Sequence, residues 1–99
     1  MIDAAKDAHP NEACGIVAGG VCYRLPNKAE HPERTFRISA EDIASVASHH
    51  RGYSGIWHSH PSGNPHPSET DWVGHPISKA LIVVAGEAVT IHYADDTEA

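Results

Sequence analysis

Cysteine, basic residues and long apolar runs are all scarce in this 99-residue chain, and each shortage removes a class of protein. The 2 cysteines, Cys14 and Cys22, lack the close spacing of a zinc ribbon or a redox pair and are too few for a disulfide scaffold, so a reducing setting is expected. They flank the pair Gly19 and Gly20 and could face one another across a hairpin; two reduced, buried thiols are the expected state. Lys and Arg total 7 against 13 acids, for a net charge of −6. They are scattered rather than gathered in a patch, which argues against a nucleic-acid surface. No stretch approaches the ~20 apolar residues that span a bilayer, and no leader-like apolar run opens the chain, so a soluble, cytoplasmic protein without a membrane partner is expected. Residues 1–99 read as one small domain whose burial is marginal, and a bound metal would add stability.

The patterns along the chain alternate between helical and extended. Ile2, Ala5 and Ala8 share one face of a short helix that His9 and Pro10 end. Residues 13–18 and 21–25 are apolar runs on either side of Gly19 and Gly20, which predicts a β-hairpin. The polar segment 26–32 carries two prolines and reads as a loop. Alternation over 34–38 suggests a strand. Ser39 with Glu41 and Asp42 has the form of a helix start, Ile43, Val46, Ala47 and His50 keep helical spacing, and Gly52 is a natural stop. Residues 54–59 read as a strand, a brief helix starts at Ser68 and is interrupted by Gly74, His75 and Pro76, and 80–85 with 88–93 form a second hairpin about Gly86 and Glu87. The fold class expected is mixed α/β, with helices flanking a single twisted β-sheet.

What the chain has in quantity is histidine, 9 residues in all, and two of these carry its strongest chemistry. His58 and His60 lie two apart on the predicted strand, so their side chains leave from the same face and both imidazoles can reach one ion. After a turn rich in Pro and Gly, Asp71 can add a carboxylate. Two imidazoles and one carboxylate, with a fourth position left for water, make the open arrangement of a catalytic zinc site. The plainer readings are surface histidines, an aspartate capping a short helix, and a capping box formed by Ser68 through Asp71.

Upstream, the run His9, Pro10, Asn11, Glu12, Ala13, Cys14, Gly15 precedes an apolar strand; downstream stand His58, Ser59, His60, Pro61, then Ser68 and Asp71. Taken in this order, the pieces resemble the JAMM or MPN-plus family of zinc metallopeptidases, in its bacterial or phage form. The resemblance covers nearly the whole chain and implies a cytidine-deaminase-like JAB/MPN fold with trimmed termini, because family domains often carry a strand before the first helix and a helix after the last strands. It implies Zn2+ held by His58, His60 and Asp71. It also implies Glu12 as the general base that passes a proton from water to the leaving amine, and Ser68 as a hydrogen-bond donor to the oxyanion. Glu12 on its own would read as an exposed acid that begins a strand.

The activity implied is hydrolysis of a peptide or isopeptide bond in a protein or peptide substrate, commonly after the C-terminal tail of a ubiquitin-like protein. Family members in phage tail assembly make virion association a second setting beside the bacterial or host cytoplasm. A non-catalytic MPN-like interaction module is the alternative of another class; such modules lose the metal ligands, whereas all five motif positions stand here. Cys14, two residues beyond Glu12, reads as a core thiol lining the site rather than a ligand. Trp57 should point away from His58 into the core. The pattern leaves the role of Trp72 open, and the oligomeric state as well. His9, His31, His49, His50, His66, His75 and His92 have no ligand spacing, although His66 lies in the site loop.

Overall fold

The computed structural model describes residues 1–72, 75, 76 and 78–93. Among them the chain forms α1 (Ile2–Ala8), β1 (Cys14–Ala18), β2 (Val21–Leu25), α2 (Ala40–Ala47), β3 (Gly55–Ser59), α3 (Glu69–Trp72), β4 (Ala80–Ala85) and β5 (Ala88–His92). The strands make one sheet in the order β2-β1-β3-β4-β5. Only β3 and β4 run parallel; the other neighbours are antiparallel. The mixed α/β class with a single sheet is therefore borne out.

Turn chemistry fixes the hairpins. Gly19 and Gly20 both have positive φ, 58° and 76°, the combination a two-residue turn needs to match the twist of its strands. Gly86, at φ 62°, serves the β4–β5 turn. Alternation along the strands then sorts the core into two layers. On one face Ala13, Trp57, Ala80, Ile82 and Val84 pack against α1 through Met1, Ile2, Ala5 and Ala8. On the other, Ile16, Ala18 and Ile56 pack against Ile43 and Val46 of α2 and against Phe36 and Ile38. Trp57 is fully buried and points away from His58, as the two-residue period requires. The Ser39 hydroxyl accepts from the Asp42 N–H (3.1 Å) and so caps α2 at the expected place.

Three expectations need correction. Residues 34–38 do not form a strand: the Lys28 N–H donates to the Arg37 carbonyl (2.7 Å) and the Arg37 N–H to Asn27 Oδ1 (3.1 Å), so this backbone is satisfied within its own loop. Phe36 and Ile38 alternate inward because they fill the layer over Ile16 and Ile56, without any ladder. Cys22 is exposed rather than buried, for it lies on the outer strand β2 opposite Val17, whereas Cys14 faces Leu25; both thiols are free and the two are not paired. The second helix ends at Ala47, short of Gly52, and His50 beyond it bonds the Tyr23 hydroxyl through Nε2 (2.9 Å). The expected interruption at Gly74 lies outside the described residues.

Candidate metal centre

The site grows from the strand register. Cys14 stands opposite His58 in the antiparallel β1–β3 pair. Just beyond, the Ser59 N–H donates to the Ala13 carbonyl (2.9 Å) and the Ala13 N–H donates to Ser59 Oγ (2.8 Å), so the middle residue of the His-Ser-His segment clamps the entry of β1 to the end of β3. One further step of the same register sets Glu12 level with His60. Residues 46 positions apart in sequence thus meet because two strands pair. The chain leaves β3 beyond His60, whose N–H donates to the Val84 carbonyl (2.8 Å), and returns through α3, which supplies Asp71.

Glu12, His58, His60 and Asp71 each offer one donor atom within 4.8 Å of the others. The inner three are tighter: His58 Nε2 lies 2.9 Å from His60 Nε2 and 3.1 Å from Asp71 Oδ2, and His60 Nε2 lies 3.0 Å from the same oxygen. A tetrahedral zinc set with bonds of about 2.0–2.1 Å separates its donors by roughly 3.3 Å, so this triangle fits such an ion after a small outward adjustment. The His60 tautomer fits as well. His60 Nδ1 is 2.7 Å from the Asn64 carbonyl, which can only accept, so Nδ1 keeps a proton, and the ring that gives up its Nε2 proton presents a lone pair to the centre.

Burial and mutual contacts shift the titration of all four groups. Burial pushes the Glu12 carboxyl up to about 7, and the Asp71 charge adds to this while His60 opposes it. Glu12 Oε1 is buried without a hydrogen-bond partner among the described residues. Burial lowers the His58 pKa, partly offset by its bond to Asp71. His60 is raised by its hydrogen bond to Asp71, against its burial. For Asp71, burial alone would raise the pKa, but bonds from both histidines and the Ser68 N–H hold the carboxyl well below the usual range. Burial, then the nearby Glu12, pushes the Cys14 thiol up to about 12; its Sγ sits 3.6 Å from the Leu25 carbonyl and outside the donor cluster. This is a core thiol.

Ser68 and Asp71 clasp one another. The Ser68 N–H donates to Asp71 Oδ2 (2.8 Å) and the Asp71 N–H to Ser68 Oγ (3.3 Å), a reciprocal cap that aims the carboxylate at the histidines. The Ser68 hydroxyl proton is left to donate elsewhere. A cleft of about 360 Å³ opens beside the cluster, lined by Glu12, Arg34, His60, Pro61, Ser68 and Asp71 among others, with His66 on its rim. Trp72 packs edge-on against His75 (5.5 Å between ring centres). Phe36 went unnoticed at the level of sequence: it stacks on His58 at 4.4 Å and 18°, and its only sequence signal was an aromatic in an alternating stretch.

A family model described as prokaryotic homologs of the JAB domain matches residues 1–95. The chain belongs to this family. Its fold is also that of a solved structure, protein DSY2949 from Desulfitobacterium hafniense. That solution structure is similar at 22% identity over 96% of this chain and 79% of that one, with a TM-score of 0.74. Among curated proteins no match was found. As a prokaryotic JAB homologue the chain has the expected fold, and its motif residues Glu12, His58, His60 and Asp71 gather into one candidate metal centre.

Proposed function

We propose that this JAB-domain chain is a zinc-dependent peptidase that hydrolyses a peptide or isopeptide bond, with His58, His60 and Asp71 as metal ligands. The observation that carries the reading is the convergence of those three donor atoms beside a buried carboxylate, Glu12, whose Oε1 has no hydrogen-bond partner among the described residues and whose pKa burial raises to about 7 in the metal-free chain. A general base works best when its pKa lies near the working pH. A bound zinc ion would supply Lewis acidity at the substrate carbonyl and make water a nucleophile near neutral pH. Glu12 accepts the proton as the water oxygen forms its bond to the carbonyl carbon. It then returns that proton to the departing amine nitrogen as the C–N bond breaks. Ser68, placed on the cleft wall, donates its hydroxyl proton to the oxygen that gains charge. Asn64 and the Ser68 N–H keep His60 and Asp71 oriented throughout.

For the substrate, the proposal is the extended C-terminal tail of a ubiquitin-like protein, cut at the bond that follows it and held as a strand beside the sheet. Incubating the zinc-loaded chain with a panel of C-terminally tagged ubiquitin-like proteins tests this. Cleavage at the tag by wild type but not by Glu12→Gln is expected. A folded, zinc-loaded chain that cuts none of the panel nor a general peptide library would leave the interaction-module reading in its place.

A further inference from the structure

Because Glu12 Oε1 is buried and has no hydrogen-bond partner among the described residues, no bond to that oxygen orients the side chain, and its place in the cleft leans on its backbone. That backbone lies just ahead of β1, before the ladder begins. Two contacts hold it. The Glu12 N–H donates to the Pro32 carbonyl (2.7 Å), and its carbonyl accepts from Asn27 Nδ2 (3.0 Å). Asn27 does more than this. Its Nδ2 also donates to the Thr35 carbonyl (3.1 Å), while its Oδ1 accepts from the N–H groups of Ala29 (3.0 Å) and Arg37 (3.1 Å). A side-chain amide offers two donors and one oxygen able to accept twice, so all four capacities of Asn27 are used. Through them the 26–38 loop, which also carries Phe36 against His58, is joined to the peptide unit that bears Glu12.

We propose that Asn27 is the positioning residue of the general base, acting through the Glu12 carbonyl. The inference rests on the proposed role of Glu12 as proton acceptor. A catalytic group shifted by about 1 Å can lose on the order of 10²-fold in rate, so Asn27→Ala is expected to lower kcat by about 10- to 100-fold with KM and zinc content unchanged. Asn27→Asp keeps the oxygen that accepts from Ala29 and Arg37 but loses both donors. Its second oxygen would then face the Glu12 and Thr35 carbonyls, so the drop in kcat should be at least as large; kcat is compared at a temperature where zinc content and circular dichroism show each variant folded.

A double-mutant cycle on a tagged substrate that wild type cleaves separates positioning from general damage. In a Glu12→Gln background, where the base is already absent, either Asn27 substitution should change kcat by less than about 2-fold. Equal fold-losses in both backgrounds would overturn the proposal. A second readout needs no turnover: in zinc-loaded chain carrying 13C-labelled glutamate, the Glu12 carboxyl signal should move in Asn27→Ala and Asn27→Asp while the His58 and His60 ring signals stay. An unmoved Glu12 signal would overturn the proposal too. If wild type cuts no substrate, the peptidase reading fails and the carboxyl signal alone decides whether Asn27 positions Glu12.

Discussion

Replacing Glu12 by Gln should stabilise the metal-free protein at alkaline pH and do little at acid pH. With its pKa raised from 4.5 to about 7, the folded chain holds the Glu12 proton more tightly than the unfolded chain does. The stability contributed by the protonated carboxyl is fully present below the unfolded value. It is lost as pH rises through that window, because folding must then keep a carboxylate buried beside Asp71. Each pKa unit corresponds to about 1.4 kcal/mol, and the loss between about pH 5 and pH 8 should be about 2 kcal/mol after allowance for residual hydration of the cleft. Gln has the same shape and no charge to bury. Urea titration of metal-free wild type and Glu12→Gln at the two pH values measures it: the variant's relative stability should grow by about 2 kcal/mol at the higher pH. An advantage that does not change with pH would refute the burial argument. The same substitution in zinc-loaded chain should lower hydrolysis by on the order of 10²-fold while zinc stays bound.

Ser68→Ala removes the acceptor for the Asp71 N–H and should cost about 1 kcal/mol, read as a lower Tm. If the hydroxyl also stabilises the oxyanion, turnover falls by on the order of 10²- to 10³-fold; unchanged turnover would reduce Ser68 to a cap. Gly15→Ala tests the register itself, since a Cβ there would meet the Tyr23 carbonyl oxygen and stand 2.5 Å from Trp57 Nε1, two groups already bonded to each other at 3.0 Å. A loss of about 3 kcal/mol or more is expected in chemical denaturation, and wild-type stability would contradict the packing of β1 against β3.

The clustering of the candidate donors was legible because their geometry is local: His58 and His60 share a face through the two-residue strand period, and Asp71 follows from a short helix with its own cap. Glu12 was legible as a motif residue, but why it reaches the site was not, since only the β1–β3 register brings it level with His60. The alternation over 34–38 misled because it reports which residues face the core and not whether the backbone pairs with a strand. Phe36 and Ile38 pack onto the Ile16 and Ile56 layer without joining the β2-β1-β3-β4-β5 ladder. Burial of Cys22 was misjudged for a related reason: Tyr23 and Leu25 own the inward positions of β2, so the period turns Cys22 outward. Asn27 carried no sequence signal and Phe36 only its place in an alternating stretch, as their partners are set by a loop that no local spacing describes.

Metal uptake tests the central claim most directly. Metal-free wild type should take up about one Zn2+ per chain near neutral pH, and progressively less as pH falls, because protons drawn onto His60 by Asp71 compete with the ion. His58→Ala should abolish that uptake. A folded wild-type chain that takes up no zinc at neutral pH, or binds it equally well without His58, would contradict the metal centre and the hydrolase built on it.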